Sequence, residues 1–200
     1  MSVEVKIWNG EGRRALAEMF ARAFAQDQAM VSLVNAGQHD AVKRLSAWFE
    51  ITLRAWPQAQ VIVATSEGEF VGGNIFSLGN HAPPLRFLLR WFWQQWRVFG
   101  LRVPLHMVQH ERRRFDIYPH KSALVVEFVA VDERARGQGL ARQLFETAYH
   151  LLERPATVAL ETGNAQNVAI YQHMGYQVVA QYEDDQVEYC VMTKLLEKED

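Results

Sequence analysis

The feature that most constrains this chain is a junction at which an apolar run passes through glycines into a helical pattern. Residues 123–131 (ALVVEFVAV) are apolar and rich in β-branched side chains, which is typical of a buried strand. RGQGLA follows at 136–141, and residues 142–153 (RQLFETAYHLLE) have the apolar spacing of a helix. A strand that turns into a helix in this way favours an α/β fold.

The rest of the pattern predicts further strands and helices around this junction. Helix 40–55 must stop near Trp56-Pro57, because proline disfavours helical backbone at the preceding residue. Residues 80–122 interrupt this succession of strands and helices, and we predict that they form a helical insert. We therefore predict one mixed α/β (α+β) domain over residues 1–200. Strands are predicted at 3–8, 60–65, 69–79, 123–131, 157–161, 176–182 and 187–194, and helices at 13–34, 40–55, 140–153 and 167–174.

Composition narrows the class of protein. The net charge of −2 gives no reason to expect nucleic acid as a partner. Cys190 is the only cysteine, so an intramolecular disulfide is impossible and a reducing compartment fits. The first residues lack the pattern of a signal peptide, and no apolar run approaches the ~18–20 residues of a membrane span. We expect a cytoplasmic protein that binds no metal.

The glycine turn at 136–141 is either a plain turn or a phosphate site. A glycine-bearing entry into a helix offers free backbone N–H groups and the positive end of the helix dipole. Gly137-Gln138-Gly139 also begins a dinucleotide fingerprint, with Glu161 about 20 residues further on. However, Arg142 stands where that fingerprint has its third glycine, and the lead-in DERAR is long. A Rossmann-type NAD-dependent oxidoreductase is therefore a less favoured alternative.

Two sequence blocks resemble the GNAT superfamily of N-acetyltransferases. VAVDERARGQGLARQLF (129–145) is similar to the acetyl-CoA motif of that family, Arg/Gln-x-x-Gly-x-Gly/Ala, which opens the helix after its fourth strand. The frame starting at Arg136 is preferred to the frame starting at Arg134, because it places Leu144 and Phe145 at apolar helix positions. LETGNAQNVAIYQHMGYQVV (160–179) resembles the next strand and helix, and most resembles the puromycin N-acetyltransferase-type branch.

The resemblance implies a GNAT-like, mostly antiparallel sheet in which the fourth and fifth strands splay apart. Acetyl-CoA would be the co-substrate, with its pantetheine in that gap and its pyrophosphate on the glycine turn. Asn167 would contact the cofactor, and Asn164 holds the position used in other branches, although either asparagine could instead cap a helix. The cofactor-binding residues implied are Phe128, Val129, Val131, Arg136, Gly137, Gln138, Gly139, Leu140, Ala141, Asn167 and Asn164.

The resemblance also implies that Tyr171 is the general acid that protonates the departing thiolate of CoA. The alternative is that Tyr171 packs beside Met174 as an ordinary helix tyrosine.

A base must take a proton from the acceptor amine before the amine attacks. Glu127 is the first candidate, because it interrupts an apolar strand where an unpaired carboxylate would be costly. The alternative is that Glu127 pairs with an arginine or faces solvent. Glu161 is the second candidate, and His120 and His110 follow.

The insert raises the question of the acceptor. Residues 85–101 carry three tryptophans and a narrow arginine stripe. They are expected to roof the acceptor pocket, to form a homodimer interface or, least favoured, to lie on a membrane, so membrane contact is judged unlikely. The roof would suit an apolar or aromatic amine. HERRRF (110–115) is either a solvated basic patch or a contact for the 3′-phosphate of CoA or an anionic acceptor.

The function expected from the resemblance is N-acetylation of a small-molecule or peptide primary amine by direct attack in a ternary complex. A non-catalytic acyl-CoA-binding module is an alternative. The length of the acyl group, the identity of the amine and the oligomeric state are left open by the sequence.

Overall fold

The computed structural model describes residues 3–37, 39–55, 59–79, 84–118 and 122–197. The predicted helix stop at Trp56-Pro57 and the base candidate His120 lie outside these residues. The strands are β1 (Val3–Ile7), β2 (Ala59–Ser66), β3 (Glu69–Leu78), β4 (Leu124–Val131), β5 (Ala156–Thr162), β6 (Gln177–Asp184) and β7 (Val187–Leu196). The helices are α1 (Arg13–Phe24), α2 (Gln28–Leu33), α3 (Ala41–Ala55), α4 (Leu85–Phe99), α5 (Arg102–Ile117), α6 (Leu140–Tyr149) and α7 (Ala165–His173).

The strands form one sheet in the order β1-β2-β3-β4-β5-β7-β6. Neighbouring strands are antiparallel except for β4 and β5, which are parallel. This mixed sheet confirms the predicted GNAT-like α/β architecture. The Rossmann-type alternative is wrong, because a dinucleotide fold needs a mostly parallel, doubly wound sheet.

The predicted splay between the fourth and fifth strands is confirmed. β4 and β5 pair only where Leu124–Val126 face Val158–Leu160. The register of β4 on β3 shifts at the next residue, because Ile75 opposes Phe128 whereas Phe76 opposes Val126, which leaves Glu127 as a β-bulge. A bulge bends and twists its strand, so β4 leaves β5 at Glu127 and a gap opens between them.

Helices cover both faces of the sheet because successive strand residues point to opposite sides. On one face, Leu144 and Phe145 of α6 pack with Ile62 and Phe76 of the sheet. On the other face, α1 and α3 pack against residues that alternate with these, and α5 adds Met107. Phe20, Trp48, Phe49, Val61, Val63 and Ile75 belong to this second cluster.

Two local predictions differ from the structure. The helix predicted at 13–34 is two helices, because Asp27 accepts a hydrogen bond from the Met30 N–H at 3.0 Å and starts α2 as its N-cap. The insert contains α5 as well as the helix foreseen at 85–101, and the two helices meet at Gly100, whose φ is 75°. Both differences matter for the site, since Asp27 and α5 lie beside the gap.

Candidate active site

The glycine turn before α6 presents unpaired backbone donors. Gly137 and Gly139 have φ of 75° and 73°, which favours glycine, and a Cβ on either would meet no described atom within 4 Å. Gly139 caps α6 without a side-chain hydrogen bond. Within the described residues, the backbone N–H groups of 137–142 donate to no acceptor. An open helix N-terminus of this kind binds an anion such as pyrophosphate.

The two arginines of the turn differ in their contacts with carboxylates. Arg134 pairs with Asp132 at 3.0 Å and with Glu69 at 3.2 Å. Arg136 is exposed, and its Nε donates to the Val131 carbonyl at 3.3 Å. Arg136 is therefore the better placed of the two to meet a phosphate, which agrees with the preferred frame of the sequence motif.

The gap beside β4 offers backbone groups to a ligand. The Asp132 N–H bonds to the Val71 carbonyl on β3, so the alternation of a strand turns the polar groups of Val131 and Val129 toward the gap. Phe128 differs from them, because the same alternation turns its backbone polar groups toward β3, while its ring is edge-on to Trp48 with centroids 5.2 Å apart. Of the predicted pantetheine contacts, Val129 and Val131 thus lie on the open edge.

A cavity of about 110 Å³ lies at the mouth of this gap. It is bounded by α2, α5, β4, β5 and α7. It brings together residues that the sequence predicted and adds Asp27, Glu111 and Arg114, which the sequence did not single out. The sequence-predicted residues are His110, Glu127, Phe128, Val129, Glu161, Asn167 and Tyr171. Its polar and charged lining residues are Asp27, His110, Glu111, Arg114, Glu127, Glu161, Thr162, Asn167, Tyr171 and Tyr189.

Tyr171 lies on α7 between the cavity and the core. Its ring is edge-on to Phe145 and Tyr176, with centroids 6.0 Å away in each case. Burial raises the pKa of the phenol well above its ordinary value, and the charge of Asp27 raises that pKa further. The phenol is therefore protonated at neutral pH and can act as a proton donor.

The two predicted asparagines separate in the structure. Asn164 is the N-cap of α7, and its side-chain oxygen accepts from the Gln166 N–H at 3.0 Å. Asn167 lies one turn into the same helix and lines the cavity. Helix capping therefore accounts for Asn164, whereas Asn167 faces the space that a ligand would occupy.

Glu127 is held in an ion pair. Arg114 donates to one carboxylate oxygen at 2.5 Å, and the Ser77 hydroxyl donates to the other at 3.0 Å. The Glu127 side chain is only 3% exposed, and Arg114 also pairs with Glu111 at 2.9 Å. The structure therefore shows the arginine-paired alternative for Glu127.

His110 also lines the cavity, and it bridges two carboxylates. Its Nε2 lies 2.9 Å from Glu161 and its Nδ1 lies 2.9 Å from Asp184. Asp184 also pairs with Arg113, and His106 lies 3.7 Å from it at the edge of the cluster. The chain of contacts therefore runs from the cavity through the His110 ring to Asp184.

The titration of this cluster follows from its contacts. Burial alone lowers the pKa of His110. The hydrogen bonds to Glu161 and Asp184 and the negative charges of Glu161 and Glu111 outweigh burial and raise that pKa above its ordinary 6.5. Burial acts to raise the pKa of Glu161, but the bond to His110, the charge of Arg114 and the Tyr182 hydroxyl at 2.7 Å outweigh it, so the pKa falls. Both shifts favour the ion pair of a protonated His110 and an ionised Glu161.

Sequence reasoning ranked His110 low and missed its partners. A lone histidine carries no signal of its own, and Asp184 lies 74 positions away in a hairpin that only tertiary structure brings to α5. The basic run 110–115 is not a uniform patch either. Arg114 turns into the cavity, Arg113 pairs with Asp184, and Arg112 is exposed.

The prediction that the tryptophans of residues 85–101 roof the acceptor pocket is wrong. From the insert, the cavity is lined by α5 through Met107, His110, Glu111 and Arg114. The tryptophans at 91, 93 and 96 of α4 are not among its lining residues. The spacing of the tryptophans predicted a helix correctly, but it could not show that the following helix, rather than this one, meets the gap.

Comparison with known proteins agrees with this geometry. Residues 107–178 match the family model described as the acetyltransferase (GNAT) domain, a stretch that contains β4, the glycine turn, β5 and α7. No curated protein sequence matches the chain significantly.

Solved structures of low sequence identity share the fold over nearly the whole chain. A Corynebacterium glutamicum structure of a histone acetyltransferase HPA2 and related acetyltransferase is 18% identical, covers 97% of this chain and 96% of its own, and gives a TM-score of 0.66. An N-acetyltransferase from Staphylococcus aureus is 15% identical, with coverage of 95% and 99% and a TM-score of 0.62.

A mosquito arylalkylamine N-acetyltransferase like 5b is 16% identical, with coverage of 98% of this chain and 100% of its own and a TM-score of 0.58. The chain therefore has the fold of the GNAT acetyltransferases, and residues 107–178 carry the sequence pattern of their acetyltransferase domain. The resemblance to the puromycin N-acetyltransferase branch stays a prediction.

Proposed function

We propose that this protein is an N-acetyltransferase that transfers the acetyl group of acetyl-CoA to a primary amine in a ternary complex. The observation that carries the proposal is the continuity of three features. An unpaired N–H cradle at 137–142 leads along the open edge of β4 to a cavity containing Tyr171. A CoA thioester needs a phosphate seat, a strand edge for its amides and a proton donor for its sulfur, and the three are met in that order.

The cofactor end of this arrangement consists mainly of backbone groups. The N–H groups of residues 137–142 and the α6 dipole hold the pyrophosphate, with Arg136 supplying a charged contact. Val129 and Val131 hydrogen-bond the pantetheine amides. Asn167 faces the reactive end of the cofactor.

At the acceptor end we assign proton removal to the pair formed by His110 and Glu161. Above the pKa of His110 the ring has released one proton to solvent and keeps the other on Nδ1, which faces Asp184. The ammonium of the acceptor then gives a proton to Glu161, and that proton passes to Nε2 of His110. His110 returns this proton to solvent after the product leaves. The freed amine attacks the thioester carbonyl and forms the C–N bond. The C–S bond then breaks, and Tyr171 protonates the thiolate. The nitrogen loses its second proton, which restores the phenol of Tyr171, so the products are an amide and CoA.

The charge of the cavity favours a cationic acceptor. Asp27, Glu111, Glu127 and Glu161 line it, whereas Arg114 and a protonated His110 supply the positive charges. The aromatic rings that line it are those of Phe24, Phe128, Tyr171 and Tyr189. We therefore expect primary ammonium compounds with a compact body to be accepted, rather than amines selected by a wall of tryptophans.

Calorimetry and an acceptor screen test the proposal together. Acetyl-CoA and CoA are expected to bind with one site per chain, and NAD is not. Thiol release with a panel of primary amines is then expected, with diamines, which carry a second positive charge, favoured over monoamines. Binding of acetyl-CoA without thiol release on any amine would instead identify a non-catalytic acyl-CoA-binding module.

A further inference from the structure

One face of α4 is apolar and open to solvent. The exposed fractions are 69% for Leu85, 62% for Leu89, 50% for Trp93 and 47% for Trp96. These residues recur at intervals of three or four, so they lie along one side of the helix. The stripe continues past Gly100 into α5 through Leu101 and Leu105, each 50% exposed.

The opposite side of α4 is fixed to the protein. Trp91 and Phe99 pack against the core cluster of α1 and α3, and Gln95 is fully buried. Arg54 of α3 donates to Gln94 at 3.2 Å. The helix is therefore anchored in a defined orientation, and its apolar stripe is presented outward rather than left over from loose packing.

All the charged side chains of the segment that carries this stripe are positive. Residues 85–110 contain four arginines and no aspartate or glutamate, a formal charge of +4 with histidines neutral. Since the whole chain carries −2, the remaining residues carry −6. The guanidinium of Arg97 lies over the exposed Trp93 ring at 4.7 Å, so cationic and apolar groups share one surface.

We propose that α4 and the start of α5 form a peripheral docking surface for an anionic lipid bilayer. Exposed leucine and tryptophan side chains would enter the headgroup boundary, and arginines beside them would meet lipid phosphates. The helix would lie along the surface. None of the helices in the described ranges is long and apolar enough to cross a bilayer.

The same charges argue against a second copy of the chain as the occupant. A two-fold contact through this face would bring residues 85–110 of both copies together, arginine against arginine and without an acidic partner from the segment. A nucleic acid would satisfy the arginines, but it would leave Leu85 and Leu89 against phosphates and water. A bilayer with anionic headgroups satisfies both kinds of group at once.

Vesicle co-sedimentation of the full chain tests the proposal, with phosphatidylcholine vesicles that contain or lack phosphatidylglycerol. We expect binding to the anionic vesicles, weakened by salt, together with a blue shift of tryptophan fluorescence as Trp93 and Trp96 leave water. Arg86→Gln with Arg90→Gln is expected to weaken binding roughly 25-fold, at about five-fold for each arginine. Leu89→Ser with Trp93→Ser is expected to abolish the spectral shift.

The control is Ile7→Ser with Val179→Ser, which removes two apolar side chains of 55% and 51% exposure from the opposite edges of the sheet. This control is expected to bind vesicles as the parent does. Equal binding to neutral and anionic vesicles would overturn the proposal, as would no binding to either. Self-association that the α4 variants abolish, without vesicle binding, would assign the face to a second copy. Binding to duplex DNA alone would assign it to nucleic acid.

Discussion

The two ends of the proposed cleft recognise their ligands by different means. The pyrophosphate end is a row of backbone N–H groups at 137–142. Gly137 and Gly139 have no side chain that could block a ligand from reaching these groups. The acceptor end is made of side chains from α2, α5, β4, β5 and β6, tied together by ion pairs. Backbone donors suit the pyrophosphate, because this group of the cofactor is the same whichever amine is acetylated. Side chains, in contrast, can be substituted to fit a particular amine.

The largest expected effect lies where the two ends meet. Tyr171→Phe removes the proton donor for the thiolate, so we expect kcat to fall by about 10²–10⁴ while the affinity for acetyl-CoA is kept. Steady-state kinetics and calorimetry measure the two quantities. Tyr149→Phe is the matched control, because its hydroxyl bonds to Tyr176 inside the core, away from the cavity. An unchanged kcat over the whole pH range would remove the general-acid role of Tyr171.

The acceptor end is tested by the pH dependence of His110. Its pKa is raised in the folded protein, so kcat/KM of the parent is expected to rise with pH through a value above 6.5. His110→Gln is expected to remove that limb and to lower kcat/KM by about 10², with acetyl-CoA affinity unchanged. A limb that persists in His110→Gln would assign it to another group, and Glu161→Gln would then be the variant that removes it.

The cofactor end is tested by a pair of glycines. Gly139→Val forces a β-branched residue into positive φ at the cradle, which costs on the order of 1–3 kcal/mol and displaces the N–H groups. We expect the Kd for acetyl-CoA to rise about 10–100-fold. Gly10→Val is the control, since Gly10 has φ of 93° and equally open surroundings near α1. It should lose similar thermal stability and keep its affinity for acetyl-CoA.

The contrast between the two ends also explains what could be predicted from the sequence. The cradle is encoded in consecutive residues around two glycines, so a local motif identified it, along with the helix behind it. Tyr171 and Asn167 followed, because they belong to a second contiguous block. The mostly antiparallel sheet with splayed fourth and fifth strands was implied by the family resemblance that these two blocks carry.

The acceptor end was only partly predictable because its contacts are distant in sequence. Glu127 stood out as a charge in an apolar strand, but nothing in the sequence identified Arg114 as its partner. The break at Asp27 was hidden by apolar spacing that continues across it, so one helix was predicted where the cap makes two. Pairings of this kind depend on how α5 crosses the sheet.

The stability of the acceptor end should depend on pH in a defined direction. A histidine whose folded pKa is raised contributes stability that is fully present below its unfolded pKa, about 6.5, and is lost as pH rises through the folded value. Asp184→Asn removes one of the groups that raise this pKa. The difference in unfolding free energy between the parent and Asp184→Asn is therefore expected to be larger at pH 5 than at pH 9. Denaturant titrations at the two values would contradict this assignment if the difference were constant.

The smallest effects separate Asn164 and Asn167, for which the sequence allowed a helix cap as well as a cofactor contact. Asn164→Ala removes the N-cap of α7 and is expected to cost about 1 kcal/mol of stability. Asn167→Ala leaves the cap intact and is expected to weaken acetyl-CoA binding by less than Gly139→Val does, with little change in stability. Thermal unfolding and calorimetry on both variants form the matched pair. If Asn164→Ala alone weakened binding, the capping residue Asn164 would be the one that contacts acetyl-CoA, and Asn167 would have no part in binding it.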